Sequence, residues 1–374
     1  MPKPLSRQPA PGAVVRHFTP SWFAVVMGTG VVALVLGRLP LGGPLLAPLG
    51  EGLWWAAVLL FVAFLVLFAA RLLRHPDTLC PMLQHPVQSM FLGALPMALA
   101  TLVAGLCLYG LPRWGATALG WAHALWWLDV ALALGVALLV PYLMVTRQDH
   151  ALERLTAIWL LPIVAPEVAA GAGGALAAQL EGPAAVRVLL VGYLLWGLSM
   201  TLAFSLMTLL LLRLVLHKLP ENEFAATGWL PLGPLATGCL GLLVLGRAAP
   251  HALAGGVLAP VAQACAQLGL IGGLALWGAG LWWLGSATLF TVRHWRERMR
   301  FNLGWWGFIF PPGVFVLATL ELYEHTAFEL FSALGQGLAA VLLVVWGLVL
   351  TRTLAGAWHG ELFRAPCLAA EASG

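Results

Sequence analysis

Two carboxylates stand in stretches otherwise composed of apolar residues: Asp129 in ALWWLDVALA and Glu167 in PIVAPEVAAG. An ionisable group inside a membrane-length apolar run is costly, and it marks a proton relay or an ion path until shown otherwise. Glu167 directly follows Pro166 and is the better candidate for proton or substrate coupling, whereas Asp129 fits a structural cap or pair. His123 is near Asp129 in sequence, but six residues turn a helix by about 240°, so the two form no dyad on one face. Glu321 and His325 are four residues apart and can touch, at a helix end that reads as a solvated loop. There is no HExxH, GxSxG or Walker loop, so an enzyme has no recognisable machinery. An intramembrane enzyme would need polar side chains from two spans to converge in a closed cavity. Cys80, Cys107, Cys239, Cys265 and Cys367 show neither CxxC nor metal-ligand spacing. Neither a disulfide framework nor a metal or other cofactor is expected from them.

The elements that carry these residues are membrane spans. The chain has 374 residues, of which 61% are hydrophobic and 9% charged, with a mean hydropathy of +0.92. A soluble domain carries about 25% charged residues, and a span needs roughly 20 apolar ones. The sequence therefore describes an all-α integral membrane protein. Its apolar runs give ten spans, at 20–37, 52–73, 89–110, 117–145, 156–180, 184–215, 229–246, 257–291, 303–323 and 328–355. Short connections pair them as five helical hairpins. A segment 1–19, a transmembrane domain 20–356 and a tail 357–374 complete the division. The basic start with Lys3, Arg7 and Arg16 leads into an apolar run lacking a small-residue cleavage pattern, so that run is read as a retained first span.

Lysine and arginine set the orientation. With a cytoplasmic N-terminus, inner segments hold fifteen of the nineteen, including Arg71, Arg147, Arg213, Arg298 and Arg352, and outer ends hold only Arg38, Arg113, Arg187 and Arg247. Both termini are then cytoplasmic, and the expected address is the plasma membrane, the inner membrane of a bacterium. The pI near 9.0 reflects this topology and not a nucleic-acid partner. Trp54, Trp55, Trp114 and Trp121 fit anchors at the outer interface.

Interior prolines fall only on odd spans: Pro96 on the third, Pro162 and Pro166 on the fifth, Pro231 and Pro234 on the seventh, Pro311 and Pro312 on the ninth. The first span has Gly28 and Gly30 instead. Interrupted helices belong where freed backbone groups are buried or wetted. The odd helices are therefore expected to form an inner ring around a central pore, with the even helices facing lipid. The ninth span, WWGFIFPPGVFVLAT, has Phe310 directly at its break. Two readings of that stretch are open: a discontinuous helix projecting Phe310 into a pore, or an ordinary proline kink packed in protein.

FTPSWFAVVMGTG (18–30), HPVQSMFLGALPMALAT (85–101), TAIWLLPIVAPEVAAGAGG (156–174) and FNLGWWGFIFPPG (301–313) occur in this order along the chain. Together they resemble the tellurite-resistance/dicarboxylate transporter family, also called the voltage-dependent anion channel family, nearest its malate and sulfite branches. The resemblance implies five hairpins around a pore, a homotrimer of separately conducting protomers, and a pore plugged by the phenylalanine at position 310. The double proline 311–312 departs from the single proline expected there. The function expected is passage of small inorganic or organic anions, either C4-dicarboxylates such as malate or sulfite, across the lipid bilayer. The alternative is a proton-coupled carrier of the same anions using Glu167.

Overall fold

The computed structural model describes residue 5 and residues 12–40, 43–297 and 299–369. Lys3, Arg7 and Arg298 of the charge count lie outside the described residues. Among the described residues ten helical spans are long and apolar enough to cross a membrane: Pro20–Arg38, Leu45–Arg74, Ser89–Trp114, Ala116–Thr146, Ala157–Ala177, Gly182–His217, Asn222–Ala252, Ala259–Arg296, Leu303–Thr326 and Glu329–His359. The chain is a multi-pass helical membrane protein. Several spans run past the apolar stretches that mark them, because helix continues through charged ends such as RHWR, which hydropathy alone excludes.

Odd and even spans differ in burial. The apolar windows of the odd spans are between 61% and 94% buried, and those of the even spans between 17% and 33%. The first span packs on the third, the third on the fifth, the fifth on the seventh, the seventh on the ninth, and the ninth returns to the first. Each even span packs on the odd span before it. The odd helices have small residues or apolar ones on every side, so they are stable only when surrounded. The even helices expose Leu59, Leu138, Leu194, Ile271 and Val344 along their outer faces.

Length separates the two sets as well. The α-helical parts of the first, fifth, seventh and ninth spans have 16, 18, 21 and 17 residues, while the even helices have 31 to 38. At about 1.5 Å per residue a 17-residue helix is roughly 25 Å long, short of a hydrocarbon core of about 30 Å. Short 3-10 segments supply the rest. Ser89–Gly93, Ala157–Trp159, Asn222–Trp229 and Leu303–Phe308 each lead into the α-helix of their span, as Pro20–Trp22 does in the first.

This arrangement corrects the expectation of helices broken at their middles. Pro96, Pro162, Pro234, Pro311 and Pro312 lie in the first turn of their α-helices, and Pro231 immediately precedes one. There the missing N–H is one that a helix leaves unpaired in any case, so proline starts the helix and does not break it. Pro166 alone of this set sits within its helix. Gly28 and Gly30 interrupt nothing: the first span is α-helical from Phe23 to Arg38. A Cβ at Gly28 would run into the Trp306 ring, and one at Gly30 into the Thr101 side chain, so these glycines set the close approach of the first span to the ninth and third. Pro48 is likewise inside the second span, which begins earlier than its apolar run suggested.

Two further corrections concern aromatic and terminal residues. Trp55, Trp114 and Trp121 are exposed as interfacial anchors would be, but Trp54 is buried and donates its indole N–H to the Leu102 carbonyl, 3.2 Å away. Residues 360–368 fold back on the protein, with Ala365 and Cys367 buried and the Ala365 N–H donated to His17 Nδ1. Buried Arg71 fastens this end, donating to the Phe18 carbonyl and the Thr78 hydroxyl, with its Nη2 3.7 Å from Cys367 Sγ.

Candidate functional site

All five odd spans contribute to one narrow cavity of about 70 Å³. The first gives Val31, Leu34 and Arg38, the third Thr101 and Ala104, and the fifth Glu167 and Gly171. The seventh gives Thr237 and Val244, and the ninth gives Phe310, Val314 and Leu317. A larger vestibule of about 560 Å³ lies at the end that holds both described termini, lined among others by Met27, Ala94, Leu161, Leu230 and Gly307. In every odd span the vestibule residue precedes the cavity residue by three to seven positions.

Along each odd span a short stretch, the neck, joins the vestibule residue to the cavity residue; it holds Gly28, Gly30, Pro96, Pro162, Pro166, Pro231 and Pro234, and Pro311 and Pro312 follow directly after Phe310. Phe310 is the first residue of its α-helix, 3% exposed, and borders the cavity at the neck. Its place follows from the prolines: they fix the start of the helix, and the helix start fixes the direction of the ring.

Glu167 borders the same cavity and is fully buried. Thr237 Oγ1 is 2.7 Å from Glu167 Oε1, and Ser199 Oγ is 2.9 Å from Oε2. Each hydroxyl has a second acceptor, Thr237 the Gly233 carbonyl at 2.8 Å and Ser199 the Ile163 carbonyl at 2.8 Å. A hydroxyl has one proton and two lone pairs, so each donates in only one of the two directions at a time. With both turned toward Glu167, an ionised carboxylate is satisfied. With both turned toward the carbonyls, the carboxyl satisfies itself only by carrying a proton and donating it.

Asp129 does not join this group. It is fully buried, lines neither cavity, and neither of its carboxyl oxygens has a hydrogen-bond partner among the described residues. The cap or pair expected for it is not formed. His123 is turned elsewhere, its Nε2 accepting from the Trp127 indole.

Glu321 and His325 also differ from expectation. The Glu321 carboxylate is 1% exposed and paired with Arg38 and Arg247, so it is the buried member of an ion cluster and not part of a solvated loop. Sequence reading missed the hydroxyls of Ser199 and Thr237, because a lone Thr or Ser in a span is unremarkable until it faces a carboxylate. At the vestibule, His85 accepts the backbone N–H groups of Val87 and Gln88 on Nδ1, and burial pushes its pKa below the ordinary imidazole value. Among the described residues no group of three or more His, Cys, Asp or Glu is placed to hold a metal ion.

Comparison with known proteins agrees with this architecture. Residues 17–354 match the profile of the voltage-dependent anion channel family. A sulfite efflux pump of Arthroderma benhamiae is 37% identical over 354 residues, covering 94% of this chain and 93% of the pump. A sulfite efflux pump of Trichophyton rubrum is also 37% identical, with the same coverage. A malic acid transport protein of Schizosaccharomyces pombe is 24% identical over 345 residues, covering 90% and 77% of the two chains. These relatives are fungal, and nothing in them supports a bacterial inner membrane. With a match over nearly the whole length and all ten spans in place, the chain belongs to the voltage-dependent anion channel family.

Proposed function

We propose that this protein carries small anions through the cavity enclosed by its five inner spans, with the Phe310 ring occluding the path at the neck. The observation that carries this reading is the cavity itself: every inner span lines it, and Phe310, at the start of its helix, borders it. A hydrophobic constriction of this kind excludes hydrated ions until the ring moves. Sulfite is the first substrate to test, given the names of the relatives at 37% identity, and C4-dicarboxylates such as malate are the second. The basic residues at the termini end support a plasma-membrane protein with both termini in the cytoplasm. Assembly as a homotrimer, with lipid or neighbouring protomers covering the exposed even spans, belongs to the same reading.

The experiment is current through the purified protein in planar bilayers, wild type beside Phe310→Ala, with chloride, malate and sulfite compared by reversal potential. A large anion-selective current in the alanine variant alone supports an occluding ring. Equal currents in both forms would remove Phe310 from that role.

The hydrogen bonding of Glu167 favours a second reading, in which anion movement is coupled to a proton. The two hydroxyls that can turn toward or away from its carboxyl accommodate both protonation states without moving the backbone. Flux that saturates and follows a pH gradient, and loses that dependence in Glu167→Gln, supports it. Flux with no pH dependence in wild type rejects it.

A further inference from the structure

Away from the termini, the lining stripes of three inner spans lead to three charged residues whose positions helix periodicity sets. On the first span Val31, Leu34 and Arg38 follow at i, i+3 and i+7. On the seventh Thr237, Leu240, Val244 and Arg247 continue one stripe, as Phe310, Val314, Leu317 and Glu321 do on the ninth. Residues at such spacings share a helix face. Each charged residue therefore stands about one turn beyond the last uncharged lining residue of its span, at the mouth of the cavity. Arg38 lines the cavity directly.

The three form a cluster with an excess of positive charge. Arg38 Nη1 donates to Glu321 Oε2 at 3.0 Å. Arg247 Nη1 approaches Oε1 at 2.8 Å, off the line of a hydrogen bond, so that pairing is mainly electrostatic. His325 Nδ1 is bonded to the Glu321 backbone carbonyl. Two guanidiniums meet one carboxylate, giving a formal charge of +1. The carboxylate is 1% exposed, while the Arg38 and Arg247 side chains are 29% and 46% exposed. Glu321 is thus hidden behind the two cations it positions. A guanidinium has five N–H donors, and a single contact to Glu321 leaves most of each fork available. Of the residues lining the cavity, Arg38 is the one cation, and Glu167 the one other ionisable group.

We propose that Arg38 and Arg247, held by Glu321, form an anion-binding site at this mouth for a small oxyanion that presents two or more oxygens. The proposal rests on the reading that the cavity carries anions and specifies which ones gain from its mouth. A guanidinium fork matches a pair of oxygens on sulfite or a carboxylate, and it has no comparable geometric match to a spherical halide. Glu321 competes with the arriving anion for the same donors, which keeps the site exchangeable, as a conducting path requires.

The test uses the full chain, with Arg38→Lys, Arg247→Lys and the double variant beside wild type. Lysine keeps the charge that faces Glu321 and removes the planar fork, so an unchanged Tm verifies that each variant folds. Sulfite and chloride binding is measured by calorimetry on purified protein, and sulfite flux is measured in liposomes. The expected result is sulfite binding weakened about tenfold by each lysine, chloride binding unchanged, and half-saturating sulfite raised with the maximal rate retained. Glu321→Gln, which releases both guanidiniums from their competitor, is expected to tighten sulfite binding. Equal sulfite affinity in wild type and the double lysine variant overturns the proposal, as does chloride binding to wild type as tightly as sulfite. A lowered maximal rate with unchanged half-saturation also overturns it, because that result marks a structural role. Arginine-dependent sulfite binding without any anion flux would reject the transport reading and leave the site standing. Flux without arginine-dependent binding would do the reverse.

Discussion

Thr237 Oγ1 stands 2.7 Å from Glu167 Oε1 and 2.8 Å from the carbonyl of Gly233 on its own helix, and its single proton serves one of them at a time. Ser199 makes the same choice on the other carboxyl oxygen. A buried carboxyl with two such neighbours is satisfied whether ionised or protonated, which an isolated carboxyl in a membrane is not. Glu167→Gln preserves the shape and both contacts but carries no exchangeable charge. Folding is expected to survive, with uptake losing its pH dependence. Uptake by liposomes across an imposed pH gradient decides this, and retained pH dependence would sink the role given to Glu167.

Asp129 supplies the contrast, since it is equally buried but has no hydrogen-bond partner among the described residues and lines neither the cavity nor the vestibule. Asp129→Asn is expected to leave flux and its pH dependence within about twofold of wild type, the effect of a near-isosteric change away from a site. A selective loss of pH coupling in this variant would move the proton path to the fourth span.

Gly28 and Gly30 are contact residues in this fold, where they were expected to interrupt the first span as prolines do the others. Gly28→Ala forces the Trp306 ring to shift and is expected to lower stability by about 1–3 kcal/mol through overpacking. Thermal unfolding in detergent measures it. An unchanged Tm with altered gating would instead favour a hinge at this position.

His85 gives a pH dependence of stability at the vestibule. Burial lowers its pKa, so the folded protein prefers the neutral ring, which accepts the Val87 and Gln88 N–H groups on Nδ1. Well above the ordinary imidazole value of 6.5 the ring is neutral in both folded and unfolded chains and these bonds are intact. As pH falls through that value the unfolded chain takes up the proton first, and the contribution is lost until the folded ring protonates too. Hydrogen exchange at Val87 and Gln88 is therefore expected to speed up, beyond its intrinsic pH dependence, between about pH 7.5 and about pH 5.5. Protection that stays constant would show that the ring is not holding this turn.

Much of the architecture is written in the sequence. The count of ten spans follows from hydropathy, because a bilayer needs a fixed length of apolar chain. The division into inner odd and outer even spans follows from where Pro96, Pro162, Pro231 and Pro311 fall, because proline is placed where neighbouring protein surrounds the backbone. What proline does there was not legible. A proline that opens a helix and one that breaks it leave the same letter in the chain, and only the 3-10 segments before Ala94, Leu160, Leu232 and Phe310 separate the two. The arginines at 38 and 247 counted as minor exceptions to a charge rule, and Glu321 as a loop acid. Helix periodicity places each on a face, but no local pattern says that three faces from distant parts of the chain meet. That meeting, like the pairing of Glu167 with Ser199 and Thr237, depends on how the inner helices close on one another, which is decided by packing over the whole chain and not by any segment of it.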